Sequence, residues 1–541
     1  MKKNKINFKD LTSEHIDYIK LTYNDSGLNH AEKMEILQKK FGIAERTVRS
    51  WWKKLELKKE ASKLPPQLLK ARDRSIPEDT KVLLVTSAQN ETAINRKQLE
   101  SILKYKEFIT KEKGKKAVEV VIPVRYRNPT SLTETENKKK EMWWVDEVKD
   151  RLFYNKIQFG DVTIACDTHI SPTARMPLSS LDALGGQGHL ILGAFRIHFK
   201  TQARLRNQPL KTMSTTGAIT RKNYSRSKAG DTGSIHHSYG FTIIELKEDG
   251  TCYVPRNIYV TDEGEFTDLC YKVTPEGVTM IEGSEALVWG DIHKEVMSEE
   301  IYQKTRKLCE VLKPKKHIQH DLLDGGRFNP HERKDVFVLR QKILAGKWSI
   351  EDEVKEAVNF PKRMLKECGG EEVFVVQSNH DEFLDRHITD MDWKKDLHNS
   401  EAYLKYAMIQ QTVNLEKYGN IFGYLINKKY KNHKRNVTYL KYGDILVVKG
   451  FHLSMHGDHG TNGSRGSITQ YKRMNFKMIH GHNHSPIIMD GVTSVGLTGR
   501  LDQYYTRKGV STHAYAHCLV HENGKRQLLV FDNSGEITGL I

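Results

Sequence analysis

The sequence predicts an α/β protein preceded by a small all-α domain, and three observations carry that prediction. The first sixty residues place apolar side chains at helical spacing. From residue 81 onward strand-like runs alternate with helical ones. In the second half, polar clusters repeatedly close short apolar runs, as happens where strand-end loops gather side chains in an α/β scaffold. With 541 residues the chain exceeds one ordinary core. It divides into residues 1–60, a linker over 61–80, an α/β middle region over 81–280 and a C-terminal domain over 281–541.

In the N-terminal part, "SEHIDYIKLTY" opens on a Ser N-cap candidate and carries Ile16, Ile19 and Tyr23 at helical spacing. "AEKMEILQKKFGIAERTVRSWWKKLEL" then reads as two helices hinged at Gly42. Met34, Leu37 and Phe41 form one stripe, and Val48, Trp51 or Trp52, and Leu55 pack the last helix back onto it. This is a helix-turn-helix pattern, which leaves Glu45, Arg46, Thr47, Arg49, Ser50 and Lys53 outward on the helix that would enter a major groove. Arg46, Arg49 and Lys53 are the expected DNA contacts. A small helical bundle for protein contact or assembly is the alternative.

The charged, proline-bearing stretch "KKEASKLPPQLLKARDRSIPEDTK" fits a linker. After it come strand "KVLLVTSAQ", helix "NRKQLESILKYKEFITKEK" and strand "AVEVVIPVRY". Short strands and Gly- and Ser-rich loops follow to about residue 280, and no chemistry is legible there. The chain has no internal repeat and no phosphate-binding loop of the G-x-x-x-x-G-K-[ST] type.

Composition narrows the function classes. Six scattered cysteines without a C-x-x-C pair argue against a disulfide framework and a zinc ribbon, so reduced thiols are expected. No apolar run reaches the eighteen or so residues of a membrane span, and the basic "MKKNKINFKD" lacks the apolar segment of a signal peptide. A soluble, cytoplasmic protein with no membrane partner is expected. A formal charge of +18 favours a polyanionic partner. DNA is that expected partner, with a homo-oligomer left open.

Five clusters carry the chemistry: "EALVWGDIHKE", "HIQHDLLDGGR", "EEVFVVQSNHDE", "DILVVKGFHLSMHGDHG" and "MIHGHNHSPI". In the last, His480, His482 and His484 recur at period two, which on a strand sends all three to one face. The order D-x-H, D-x-x-D, N-H-D, H-G, G-H-x-H resembles the calcineurin-like metallophosphoesterase superfamily over roughly residues 285–500. The nuclease branch, including phage-encoded members such as the pre-early DNases of T5-like phages, fits best.

That resemblance implies a β-sandwich flanked by helices and a two-metal site. Asp291, His293, Asp321 and His484 would hold one divalent ion. Asp321, as a bridge, with Asn379, His456 and His482 would hold the other. His380 would be the catalytic proton donor, oriented by the carboxylate of Asp324, and Arg327 would contact substrate phosphate. His480 matches nothing and is read as a packed histidine. Nitrogen and oxygen ligands without thiolate fit Mn²⁺, with Fe or Zn²⁺ as alternatives. Two such cations neutralise a phosphodiester and activate water at neutral pH.

Departures and rivals remain. His320 and Ser378 stand where the superfamily usually has glycine. "VTIACDTHISP" offers Asp167 and His169 as a second D-x-H, but Asp321 follows Asp291 by 30 residues and Asp167 by 154, and the shorter interval suits a βαβ crossover. His452 and His459 compete with His456, which alone has the superfamily's following glycine. The superfamily's phosphoprotein phosphatases would show D-R-G and N-H-E where Asp324-Gly325-Gly326-Arg327 and Asn379-His380-Asp381 stand. The expectation is therefore a metal-dependent DNase. The alternatives are a phosphatase or small-molecule phosphodiesterase of the same superfamily, or a DNA-binding regulator whose phosphoesterase core is only a scaffold.

Overall fold

The structure, a computed structural model, describes residues 7–24, 30–55, 74–126, 144–329, 335–390, 392–431, 436–502 and 509–541. The expected linker over 61–80 lies outside the described residues up to residue 73.

Three helices form the N-terminal part: α1 (Ser13–Asn24), α2 (His30–Phe41) and α3 (Glu45–Lys54). Gly42, at φ 62°, stops α2 with its N–H on the Gln38 carbonyl, the left-handed cap that glycine adopts at least cost. Ile19, Met34, Leu37, Phe41, Ile43, Val48, Trp51 and Trp52 make the core, so both tryptophans are buried. Trp51 meets Phe41 edge-on at 5.4 Å and Trp52 meets Tyr23 at 4.9 Å. Arg46, Ser50 and Lys53 are exposed on α3, while Arg49 is partly spoken for by Glu45 at 2.5 Å.

The rest is a mixed α/β assembly. Strand Val82–Gln89, helix Arg96–Glu112 and strand Ala117–Val124 form a parallel β-α-β unit, with Asn95 capping the helix through the N–H of Gln98. Both strands belong to a four-stranded sheet completed by Gly240–Glu245 and Arg256–Tyr259. Downstream, Ala286–Val288, Lys316–Gln319, Glu372–Val376 and Val437–Leu440 run parallel, and the antiparallel pair Ala516–Val520 and Arg526–Val530 extends them to six strands. A ten-stranded sheet holds Phe451–His452, Lys477–His480, Ile487–Met489 and Val492–Ser494 together with strands from residues 157–215. The join is antiparallel, Ile488 opposite Phe199. The middle region and the C-terminal region thus share one sheet.

The six- and ten-stranded sheets face each other. Val288, Ile318, Val376 and Cys518 from one pack with Phe199, Ile479 and Ile488 from the other in a single apolar cluster. Successive residues alternate: Ala286 and Val288 point into that layer, while Leu287 points to the opposite face with Val373, Val375 and Leu519, where helices Glu299–Leu312, Ile350–Cys368 and Ile421–Tyr430 cover them. Among the described residues no helix is long and apolar enough to cross a membrane.

Candidate metal centre

The parallel strands aim one set of ends at one place. Ala286–Val288 leads into Asp291 and His293, Lys316–Gln319 into Asp321 and Asp324, and Glu372–Val376 into Asn379 and His380. From the facing sheet, the parallel neighbours Phe451–His452 and Lys477–His480 lead into His456 and into His482 and His484. Side chains far apart in sequence meet because strands in parallel share their carboxyl ends.

The donor atoms of Asp291, His293, Asp321 and His484 lie within 4.8 Å of one another, and those of Asp321, His456 and His482 form a second group of the same tightness. Asp321 belongs to both. Nε2 of His484 lies 3.3 Å from Oδ2 of Asp291. Oδ2 of Asp321 lies 3.1 Å from Nε2 of His456 and 3.7 Å from Nε2 of His293. Nε2 of His293 and Nε2 of His484 face each other at 3.1 Å. Among the described residues, both oxygens of Asp291, Oδ1 of Asp321 and Oδ1 of Asn379 are buried without a hydrogen-bond partner. Buried carboxylates without donors are costly, and convergent imidazole nitrogens with orphaned oxygens are a donor set that fits divalent cations.

Electrostatics point the same way. Burial and the charge of Asp321 push Asp291 up to about 7. Burial would also raise Asp321, but the imidazoles of His456, His380 and His293 outweigh it and hold that carboxyl well below the usual range. Burial would depress His293, yet its bond to Asp324 and the charges of Asp321, Asp324 and Asp291 push it up to about 9, and Asp321 does the same for His456, up to about 10. Protons gather on imidazoles here because the carboxylates demand positive charge, a demand that a metal ion meets with neutral imidazoles.

The backbone is bent to suit. His293, Asp321, His482 and His484 all have positive φ, at 43°, 44°, 71° and 55°. Side chains larger than glycine adopt that region at a cost of roughly 1–3 kcal/mol, and such residues cluster at functional sites. Gly481 is required between the histidines, because a Cβ there would overlap Oδ1 of Asp291 and stand 2.8 Å from Cβ of His320. His320 is wholly buried, neither ring nitrogen has a hydrogen-bond partner among the described residues, and its ring lies 5.6 Å from that of His456.

Other expected residues sit as follows. Nδ1 of His380 bonds the main-chain carbonyl of Asp324 at 2.7 Å, whereas the Asp324 carboxylate lies 3.0 Å from Nδ1 of His293. Asp324 therefore meets His380 by its carbonyl oxygen and the candidate ligand His293 by its side chain, and its carboxylate also lies within 4.8 Å of a His380 ring nitrogen. Arg327 makes a two-pronged pair with Asp396, at 2.9 and 3.2 Å. His480 is buried against Tyr471, with Nδ1 on the Gly481 carbonyl. The rivals stand apart: Asp167 and His169 are exposed, the tilted rings of His452 and Phe476 lie 4.2 Å apart, and exposed His459 pairs with Asp458.

One group escaped the sequence reading. Glu295 and Glu353 bring carboxylates to Asp324, all within 4.8 Å, and Nζ of Lys342 lies 3.7 Å from Oε2 of Glu295. A Cβ on Gly326 would overlap that ammonium, so the glycine admits Lys342 to the nest. The double glycine after Asp324 was the available signal.

No known family profile matches the chain, and no solved structure matches it. Over 471 residues it is 29% identical to Protein A1 of Escherichia phage T5, a similarity spanning 84% of this chain and 82% of that protein.

Proposed function

We propose that the protein is a metal-dependent DNase of the calcineurin-like metallophosphoesterase type, carrying a helix-turn-helix DNA-binding domain. The observation that supports it most is the pair of buried donor groups sharing Asp321. When bound, two divalent ions, Mn²⁺ by ligand type with Fe or Zn²⁺ as alternatives, neutralise the phosphodiester and activate water.

The chain's own residues do the rest. Asp321 holds its carboxylate between the two donor groups, with Asp291, His293 and His484 on one side and His456, His482 and Asn379 on the other. His380, fixed through Nδ1 by the Asp324 carbonyl, presents Nε2 to the leaving oxygen and delivers a proton there when the ring is cationic. Asp324 positions His293. Arg327, whose Nη1 has no hydrogen-bond partner among the described residues, is the proposed phosphate contact near the metals. Arg46, Arg49 and Lys53 neutralise DNA phosphates remote from the chemistry, and the formal charge of +18 suits a long polyanion better than a small ester. The host cytoplasm is the proposed place of this action, a reading that the similarity to a phage protein supports.

The test offers duplex DNA, a phosphopeptide and bis-p-nitrophenyl phosphate across a salt series, with Mn²⁺ fixed and with chelator as control. DNA should be preferred at low salt and lose that advantage as salt rises, while small-ester hydrolysis changes little. A phosphopeptide preferred at every salt concentration, with DNA uncut, favours the phosphatase reading. DNA binding with no hydrolysis of any ester favours the scaffold reading.

A further inference from the structure

Arg204 belongs to the middle region, just beyond strand His198–Thr201, but its backbone is fastened beside the candidate metal centre. It pairs with Ser511 through two main-chain hydrogen bonds, at 3.0 and 2.9 Å. The segment after Ser511 is tied in turn to the candidate ligand His484. The N–H of Ala514 reaches the His484 carbonyl at 3.3 Å, and Oγ1 of Thr512 lies 2.6 Å from Oγ of Ser485. The ring of His513 meets that of His484 edge-on at 5.0 Å. Burial and the charges of Arg204 and His293 push His513 down to about 4, so one ring lies within electrostatic reach of both the guanidinium and the centre. No acid answers that guanidinium. Among the described residues half-buried Arg204 makes no ion pair, and its buried Nη1 has no hydrogen-bond partner. Burial alone pushes it below its ordinary value, with no carboxylate raising it again. A cation withdrawn from water without an anion is costly. Arg327 shows the usual remedy in its two-pronged pair with Asp396, whereas Arg204 is left for an incoming ligand to satisfy.

We propose that Arg204 holds the phosphate next to the scissile one and so selects a nucleotide strand over an isolated ester, a proposal that rests on the nuclease reading above. Its position decides which phosphate it takes. Arg204 adjoins the candidate ligands through His513, one side chain removed from the donors, whereas the scissile phosphate must touch the metals themselves. A strand carries its next phosphate one nucleotide along, and a planar guanidinium takes two phosphate oxygens at once. A lone diester has no second anion to offer there. The middle region, in which the sequence shows no chemistry, thus contributes specificity to the C-terminal centre.

Steady-state kinetics with Mn²⁺ on the full chain test it. The substrates are a thymidine trinucleotide with both phosphates charged, its two analogues in which one or the other phosphate is a neutral methylphosphonate, and bis-p-nitrophenyl phosphate. In each analogue only the charged linkage can be cut, so the neutral one reports on the flanking position. The wild type should favour the trinucleotide over one analogue by about ten-fold in kcat/KM, the worth of one charge-assisted hydrogen bond, and the difference should lie in KM. Arg204→Ala should erase that preference and lower the ratio of trinucleotide to bis-p-nitrophenyl phosphate by the same factor. Arg204→Lys, which keeps the charge, should recover part of it. A residue that only supports the fold would lower every substrate together and leave the preference standing. A wild type without the preference, or an Arg204→Ala protein that keeps it, overturns the proposal alone. A wild type that hydrolyses bis-p-nitrophenyl phosphate but neither the trinucleotide nor longer DNA overturns the nuclease reading, and the proposal with it.

Discussion

Gly481 lies directly against Asp291: a methyl group at 481 would overlap Oδ1 of that carboxylate and crowd Cβ of His320 at 2.8 Å. Asp291 is wholly buried and cannot retreat without leaving the donor group it shares with His293, Asp321 and His484. Gly481→Ala should therefore lower metal content and cut hydrolysis of bis-p-nitrophenyl phosphate by about 10²-fold or more, the penalty typical of displacing a reacting group by about an ångström. Mass-spectrometric metal analysis beside the rate checks it. Full metal loading with an unchanged rate would mean that the carboxylate position is not critical.

Asp321 and His380 should separate in their effects. Asp321→Ala removes the carboxylate common to both donor groups, so metal and activity should disappear together. His380→Ala leaves every donor in those two groups intact and should keep the metals while losing turnover by about 10²–10⁴-fold, the range for a general acid. A His380→Ala protein without metal would refute the division of roles.

The pH dependence of the metal-free protein has a definite sign. His293 and His456 titrate at about 9 and about 10 when folded, against an ordinary value of 6.5. Their protonated forms stabilise the metal-free fold fully below about pH 6.5, and that contribution fades as pH rises through 9 and 10. Metal binding must displace those protons, so affinity rises over the same window. The melting temperature with chelator should fall between pH 7 and 10, and the gap between Mn²⁺-loaded and chelated protein should widen. A gap that narrows with pH would contradict this.

The basic face of α3 should reveal itself through salt. Arg46 and Lys53 are exposed, and each phosphate they neutralise contributes nearly one unit to the slope of log affinity against log salt. Arg46→Ala and Lys53→Ala should each flatten the slope by about that amount, leaving hydrolysis of the small diester intact. Arg49→Ala should do less, because Glu45 already offsets its charge. Fluorescence anisotropy over a salt series reads this directly, and unchanged slopes would point the helices toward assembly.

What the sequence determined by itself is local or chemically irreplaceable. The helices around Gly42, the strand–helix–strand after residue 81 and the five polar clusters were all legible, because helical and strand periods and capping residues act over a few positions, and because imidazole and carboxylate are the side chains such donor groups need. The tertiary structure decided what depends on contacts between distant positions. It joined Phe199 to Ile488 in one sheet across the expected boundary near residue 280, gave Arg327 to Asp396, and set Glu353 and Lys342 beside Asp324. It also turned the Asp324 carboxylate to His293 and its carbonyl to His380. No periodicity encodes these pairings, since each arises where packed sheets and helices bring unrelated stretches to hydrogen-bonding distance, and the partner of a buried charge is whichever opposite charge the packing delivers.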